Sequence, residues 1–456
     1  MAEDDRFYVK TLRMQNFRCF EDVELGPFDP HFNLLVGENG AGKSSVLVAL
    51  AQLFFKIGLP HRDLSGLRLI SGGDIRLEHV VSRDGVTTVR QRAAAKLSAK
   101  AGSGQTDFTA IDELSAGLAP PRLLPRFIKA DEITNEIIDF APARDMNEDL
   151  DDAPVPLIAF YRTGRLFASP SKEAHSHRTP ANLRDNAFEN WTDAGVSGEA
   201  LSDWVKTQTL AALQHERRSR TTEISSGNSE EYVRQIEFVG RSVTEAVEGA
   251  ELVYFDADLD DVVVQFKDGQ RRSFLKMSDG QRAIVGLVAD IARRAAVLNA
   301  FYLGKRTLEQ TPGLVLIDEV DLHLHPKWQR QIVAALKRVF PKIQFFATTH
   351  SPQVIGECKP EEIVLLTPRG QKRPGPSGSY GRDSNWILEC VMEAEGRDPK
   401  IAARLKSLFD NIEDENFDTA RAELETLRRD IGDGPDIVGA QAYLWRMERL
   451  GDEAAE

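Results

Sequence analysis

Cysteine is scarce in this sequence: Cys19, Cys358 and Cys390 are the only three in 456 residues, widely spaced and necessarily leaving one unpaired. That excludes a disulfide-stapled scaffold, and no ligand-like spacing links the thiols, so reduced cysteines in a cytoplasmic protein are expected. Long apolar runs are missing as well. No stretch approaches the roughly 18 residues of a membrane-spanning helix, so no membrane association is expected. The start, Met1-Ala2-Glu3-Asp4-Asp5, lacks the basic-then-apolar layout of a secretory leader. Nor is there an excess of positive charge: 57 Lys and Arg face 71 Asp and Glu, a net charge of −14. An acidic balance argues against a chain coated with nucleic acid. It leaves room for a local patch, at His215-Glu216-Arg217-Arg218-Ser219-Arg220, at Arg271-Arg272 or from Arg369 to Arg373. Such clusters are more often solvated surface. What remains, 41% hydrophobic and 28% charged residues, is ordinary globular composition in a chain long enough for two or three domains.

Against that plain background one stretch is specific. Gly37-Glu38-Asn39-Gly40-Ala41-Gly42-Lys43-Ser44, with Ser45 after it, reads G-x-x-x-x-G-K-S. The apolar run Phe32 to Val36 precedes it, and Val46 to Phe55 follows without Gly or Pro. Strand, glycine loop and helix are the context a phosphate-binding loop requires. The glycines let backbone N–H groups turn onto phosphates, and the helix N-terminus adds partial positive charge. Lys43 is expected to reach the β- and γ-phosphates of ATP, and the Ser44 hydroxyl to ligate Mg²⁺.

Further along, Gly313-Leu314-Val315-Leu316-Ile317-Asp318-Glu319 sets two carboxylates at the end of an apolar strand. Buried acids are costly without a cation. Asp318 is therefore expected to hold Mg²⁺, directly or through water, and Glu319 to orient or deprotonate the attacking water. Ile343 to Thr349 is another buried strand, ending in His350, where an imidazole can help neutralise charge on a transferring phosphoryl group. Met277-Ser278-Asp279-Gly280-Gln281-Arg282 precedes an apolar helix, so Ser278 can act as N-cap of a second anion-friendly helix start.

Together these motifs resemble the ABC-type branch of P-loop ATPases. Gly37 to Ser44 corresponds to Walker A and Asp318-Glu319 to Walker B. Asp321 falls in the D-loop, His350 in the H-loop, and Ser278-Asp279-Gly280-Gln281 resembles the signature Leu-Ser-Gly-Gly-Gln, with Asp279 in place of a glycine. Asn16-Phe17-Arg18 resembles the first strand of RecF, OLD and SMC-like ATPases, where an early Arg often lies near the nucleotide; Arg13 or Arg18 could do so. Leu324-His325-Pro326-Lys327-Trp328-Gln329-Arg330 and Thr348-Thr349-His350-Ser351-Pro352 look like the Septu anti-phage ATPase and its retron-associated relatives, as does Ser379 to Asn385. The resemblance implies an α/β fold with an ABC-type mixed sheet, a helical insertion and a helical tail. It implies hydrolysis of ATP with Mg²⁺. It implies a homodimer or higher even oligomer in which the signature closes on the partner's nucleotide, and an HNH-type nuclease subunit, with DNA as a candidate ligand. Two other readings stand beside it: a RecF-like DNA repair ATPase, and a non-hydrolysing nucleotide-sensing scaffold.

The expected organisation is an N-terminal ATPase lobe with a small β insertion at 1–160, a helical insertion at 161–250, a C-terminal ATPase lobe at 251–368, and a linker with a helical tail at 369–456. Leu157 to Tyr161 reads as a buried strand, and Arg165 just beyond it could fill the γ-phosphate-side loop that ABC-type ATPases give to glutamine. Leu67 to Val80 and Val86 to Arg92 read as strands, and Ala101 to Gln105 as a loop. The acidic run Asp145 to Asp152 lacks the spacing of a calcium loop. His323 and His325 belong to the D-loop pattern more readily than to a metal site. Beyond the ATPase lobe Arg369 to Gly378 reads as a Pro/Gly-rich linker and the pattern from Trp386 on is helical, without the strand-borne acids of the nuclease domain of OLD-type proteins, so the tail is expected to serve docking or assembly.

Overall fold

A strand buried on both faces reads as an unbroken apolar run rather than an alternation, and four such runs form the middle of the molecule. The computed structural model describes residues 6–54, 69–81, 87–92, 94–103, 106–115, 126–129, 155–165, 187–188, 191, 194, 198–221, 227–299, 310–367, 372–373, 378–394 and 397–455. Its first unit, Met1–Asp383, contains β1 (Phe7–Phe17), β2 (Phe20–Leu25), β3 (Phe32–Gly37), α1 (Lys43–Phe54), β4 (Leu77–Val81), β5 (Thr87–Gln91), β6 (Ala94–Ser103), β7 (Thr106–Ser115), β8 (Arg126–Lys129) and β9 (Leu157–Tyr161). It continues with α2 (Gly198–Thr221), α3 (Gly227–Ala246), β10 (Ala250–Asp256), β11 (Asp261–Phe266), β12 (Arg271–Ser273), α4 (Asp279–Leu298), β13 (Gly313–Ile317), α5 (Pro326–Val339), β14 (Ile343–Thr348), α6 (Pro352–Gly356), β15 (Ile363–Leu366) and β16 (Lys372–Arg373).

The central sheet has the order β16-β15-β3-β14-β13-β9. All its pairings are parallel except that of β16, which runs antiparallel on β15. Register aligns Ile317 with both Tyr161 and Ala347, and Thr348 with Leu35. Chain segments leaving β3, β9, β13 and β14 therefore emerge along one edge, where ligands of such sheets bind.

A second, antiparallel sheet has the order β2-β1-β6-β7-β8. Helix α1 packs against β6 and β7 on one side and contacts β3, β13 and β14 of the central sheet on the other. Every residue from Val46 to Phe54 is buried, which is why the helix is apolar all round. The two sheets are also tied by the buried Gln344 of β14. Its Oε1 accepts from the Val9 N–H at 2.7 Å, and its Nε2 donates to the Val9 carbonyl at 3.0 Å and the Asp29 carbonyl at 2.8 Å. Ala101, Gly102 and Ser103 belong to β6, correcting the loop expected there. The buried face of β6 is Ala95, Leu97, Ala99 and Ala101, a period of two carried mostly by alanine, a weak strand former. Gly104 and Gln105, the run 145–152 and residues 369–371 lie outside the described residues.

Helices α2 and α3 pack on each other, and α3 packs on α4 and α5. Asp261 of β11, 1% exposed, accepts from Ser202 Oγ of α2 at 2.6 Å, from the Leu275 N–H at 3.0 Å, and from Ser273 Oγ. This fixes the turn that delivers the chain to Ser278. Within α4, Asp290 is buried among Arg293, Arg294 and the Tyr161 hydroxyl, which donates to it at 2.8 Å. Burial alone would raise its pKa, but the two guanidiniums hold the carboxyl at about 2.

The second unit, Ser384–Glu456, consists of α7 (Ser384–Cys390), α8 (Pro399–Glu413), α9 (Phe417–Ile431) and α10 (Pro435–Ala455). Leu405, Leu408 and Ile412 from α8, Ala420, Leu424 and Leu427 from α9, and Ile437, Ala440 and Leu444 from α10 make its own core. Among the described residues no helix is long and apolar enough to cross a membrane.

Replacing Asp290 by Asn leaves Arg293 and Arg294 without their counter-charge. A loss of about 3–5 kcal/mol in urea unfolding is expected. Because the folded carboxyl titrates at about 2, below the ~3.9 of an unfolded aspartate, its contribution is complete above that unfolded value and fades as the pH falls toward the folded one. Asp290→Asn should flatten this acid limb of the stability profile.

Candidate nucleotide-binding site

The chain leaves β3 at Gly37 and re-enters regular structure at Lys43, turning between them through two left-handed glycines, Gly40 (φ 84°) and Gly42 (φ 96°). A Cβ on Gly42 would lie 2.5 Å from the Phe20 ring and 2.7 Å from Cys19 Sγ. Glycine is thus required there by contact as well as by φ. The Ala41 N–H donates to the Glu38 carbonyl at 3.2 Å, and the Val46 N–H to the Gly42 carbonyl at 3.0 Å, starting α1. Ala41 is buried, whereas Glu38, Asn39 and Gly40 are exposed.

The loop forms one wall of a cleft of about 300 Å³. Asn39, Gly40, Gly42, Lys43, Ser44 and Ser45 line it from this side, Asp318, Glu319, Thr348 and His350 from the ends of β13 and β14, and Arg18 and Cys19 from the turn between β1 and β2. Lys43 Nζ donates to the Gly37 carbonyl at 2.7 Å and the Glu38 carbonyl at 3.0 Å. Burial pushes its pKa down, while Asp318 and Glu319 oppose the shift. Ser44 Oγ lies 3.1 Å from Asp318 Oδ1, which also accepts from Thr348 Oγ1 at 2.6 Å. A hydroxyl and a carboxylate this close make an all-oxygen pair of the kind Mg²⁺ prefers, so the residues expected to hold the ion, Ser44 and Asp318, fit it.

The backbone of the two acids is held on every side. The Asp318 N–H donates to the Tyr161 carbonyl at 2.8 Å. The Glu319 N–H donates to Thr348 Oγ1 at 2.7 Å. Glu319 has φ 51°, a left-handed conformation that costs a non-glycine residue about 1–3 kcal/mol. Arg165, 2% exposed, donates to the Asp318 carbonyl at 2.7 Å and the Glu319 carbonyl at 2.8 Å. Arg165, a candidate for the γ-phosphate-side loop, is not among the residues lining the cleft and bonds instead to the main chain of the acids. Burial lowers its pKa, and Asp321, Glu319 and Asp318 oppose that. Asp321 itself accepts from Thr349 Oγ1 at 2.5 Å.

Of the two N-terminal arginines left open, Arg18 lies in the cleft. It pairs with Asp74 at 2.8 Å and approaches Ser45 Oγ at 3.4 Å. Arg13 pairs with Asp22 at 2.8 Å on the face of the hairpin. Thr348 and Cys19 were not singled out by sequence. Each sits beside a flagged residue, but nothing in the pattern separates a hydroxyl or thiol that faces the cleft from one that does not.

Ser278 and Asp279 stand exposed at the start of α4 and are not among the residues lining this cleft. Ser278 caps the helix, accepting from the Gln281 N–H at 3.4 Å in a capping box. Asp279 pairs with Arg282. Gly280 is buried, and a Cβ there would lie 2.6 Å from the His323 carbonyl and 3.3 Å from the Trp328 ring. His325 caps α5 through Nδ1, which accepts from the Lys327 N–H at 3.3 Å.

Residues 11–175 match a family described as "AAA domain", and residues 161–356 match "AAA domain, putative AbiEii toxin, Type IV TA system". The chain is 44% identical over 140 residues to the "Retron Ec83 probable ATPase" of Escherichia coli, covering 31% of this chain and 25% of that protein. It is 22% identical over 437 residues to the "Retron Vc95 probable ATPase" of Vibrio cholerae, covering 85% and 79%. It is 40% identical over 220 residues to the Septu protein PtuA of Bacillus mycoides, covering 47% and 29%. The matches to the first and third of these thus span less than a third of those proteins. Among solved structures, an SmcHead bound to the C-winged helix domain of ScpA matches with a TM-score of 0.42 and 12% identity, over 80% of this chain and 96% of that one. Two stretches of the chain thus match AAA-domain families, and the chain is similar to the retron ATPases and Septu PtuA.

Proposed function

We propose that the protein binds ATP with Mg²⁺, hydrolyses it, and acts as a nucleotide-dependent dimeric switch in a bacterial anti-phage system, controlling an associated nuclease in the cytoplasm. The observation that carries the proposal is the single cleft joining Lys43, Ser44, Asp318, Glu319 and His350. In this reading the ATPase is built from the lobes 1–160 and 251–368, with 161–250 inserted between them and 369–456 as a linker and docking tail. The exposed loop amides and Lys43 bind the phosphates, with Lys43 exchanging its carbonyl partners for them. Ser44 and Asp318 hold the Mg²⁺. Glu319 orients or deprotonates water, and His350 stands at the phosphoryl side.

Support for a shared site comes from Ser278 and Asp279. They are solvent-exposed at a helix N-terminus that is not part of this chain's own cleft, so that face is open to a second copy's nucleotide. Asp321 of the D-loop would lie at the same junction. The reading implies a homodimer or a higher even oligomer. The energetics suffice: ATP at 100 times its Kd stabilises the competent state by about 2.7 kcal/mol. Two such sites approach the roughly 5.5 kcal/mol that swings a population from 1:99 to 99:1. Likeness to the retron and Septu proteins supports the defence role; in this reading the partner is an HNH-type nuclease, and DNA is a candidate ligand.

Glu319→Gln should bind ATP, accumulate dimers on size-exclusion chromatography and lose about a hundredfold or more in turnover. Unchanged turnover removes Glu319 from the mechanism. Negligible turnover in the wild type would favour a nucleotide-sensing scaffold, and DNA-stimulated turnover without any partner a RecF-like ATPase. Gly42→Ala, which drives a methyl into Phe20 and Cys19, should weaken binding of a fluorescent ATP analogue about tenfold or more. Gly40→Ala, where a Cβ meets nothing within 4 Å, should weaken it less, through backbone strain alone.

A further inference from the structure

The peptide groups of Asp318 and Glu319 present two N–H donors and two carbonyl acceptors, and each has a partner. Tyr161 and Thr348 take the donors. Both carbonyls receive the same side chain, Arg165, at 2.7 and 2.8 Å, with the Leu322 N–H sharing the Glu319 carbonyl at 3.0 Å. Arg165 is brought there by a tight turn in which its own N–H donates to the Arg162 carbonyl at 3.1 Å. Glu319, the residue so gripped, is the one with a left-handed φ of 51°. Such a conformation persists only where the surroundings over-determine it. A rigid fork suits this purpose better than a single ammonium, since one planar group meets two fixed acceptors.

We propose that Arg165 is a positioning residue for ATP hydrolysis, whose guanidinium clamps the main chain of Asp318 and Glu319 and so fixes the aim of the Glu319 carboxylate. This rests on the hydrolytic reading given above. Arg165 touches neither nucleotide nor water in this role. It acts through the backbone of the acids, so its loss affects turnover far more than nucleotide binding, whose phosphate contacts come from the Gly37–Ser44 loop on the other wall of the cleft. A side chain that merely satisfied buried carbonyls would affect stability and binding without singling out the step that needs Glu319.

The test compares the full-length wild type, Arg165→Lys, Arg165→Gln, Glu319→Gln and Arg165→Lys combined with Glu319→Gln. Lys keeps the charge and loses the fork, whereas Gln keeps a two-hydrogen donor and loses the charge. Readouts are thermal melting, affinity for Mg·ATP, and single-turnover hydrolysis of labelled ATP. The expected result is affinity within about threefold of wild type and a fall in kcat of about tenfold to a hundredfold for Arg165→Lys. The double variant should then be no slower than Glu319→Gln, because residues acting as a unit are not additive. The proposal is overturned if kcat stays within about twofold, if affinity falls in step with kcat, if the double variant is slower than Glu319→Gln by the full single-variant factor, or if neither Arg165 variant folds. A wild type that binds Mg·ATP and never turns it over overturns the hydrolytic reading instead, and the clamp's catalytic role with it.

Discussion

Two carboxylates, Asp318 and Glu319, follow five fully buried residues at the end of β13, and much of the surrounding structure answers that fact. Charge at the mouth of an apolar sheet is costly unless it is paired or hydrogen-bonded. Asp318 takes hydrogen bonds from two hydroxyls, Ser44 and Thr348. The cations that face the acids, Lys43 and Arg165, are themselves pushed toward neutrality by burial and held charged in part by those acids. This mutual dependence is economical: each charge makes the others tolerable. It also leaves Lys43 on backbone carbonyls of its own loop.

Strand β9 carries the influence of this cluster further into the molecule. The Tyr161 carbonyl holds the Asp318 N–H, while the Tyr161 hydroxyl donates to Asp290 on α4. Helix α4 begins at the capping box of Ser278. One residue at the end of β9 is therefore bonded both to the acid strand and to the helix that presents Ser278. Asp290 needs its two arginines for the reason Asp318 needs its hydroxyls, and Arg294 passes the load on to the Ala187 carbonyl at 2.8 Å.

Sequence reading was most informative where chemistry constrains the residue type at each position. The glycine loop, the apolar strands ending in acids or His350, and the helical tail with Leu405, Leu408 and Ile412 all carry their periodicity openly. It failed where the constraint was only spatial. Strand β6 was missed because alanine carries most of its buried face. Nothing local decides whether Arg165, just past a strand end, turns into the cleft or away from it; the turn from Arg162 sets it against the carbonyls of the acids. The choice between Arg13 and Arg18 needed Asp74, a partner 56 residues away from Arg18 that nothing local announces.

The remaining constraint joins the two surfaces that a shared nucleotide site would use. Gly280 sits so close to the D-loop that a single added carbon would lie 2.6 Å from the His323 carbonyl, and His323 itself has φ 64°. The first turn of α4 and the loop after Asp318-Glu319 are thus packed as one piece. Asp321 in that loop is bonded to Thr349, between the acid-binding Thr348 and His350. The absence of a side chain at Gly280 is what permits this approach: any larger residue would have to push the first turn of α4 away from the His323 carbonyl.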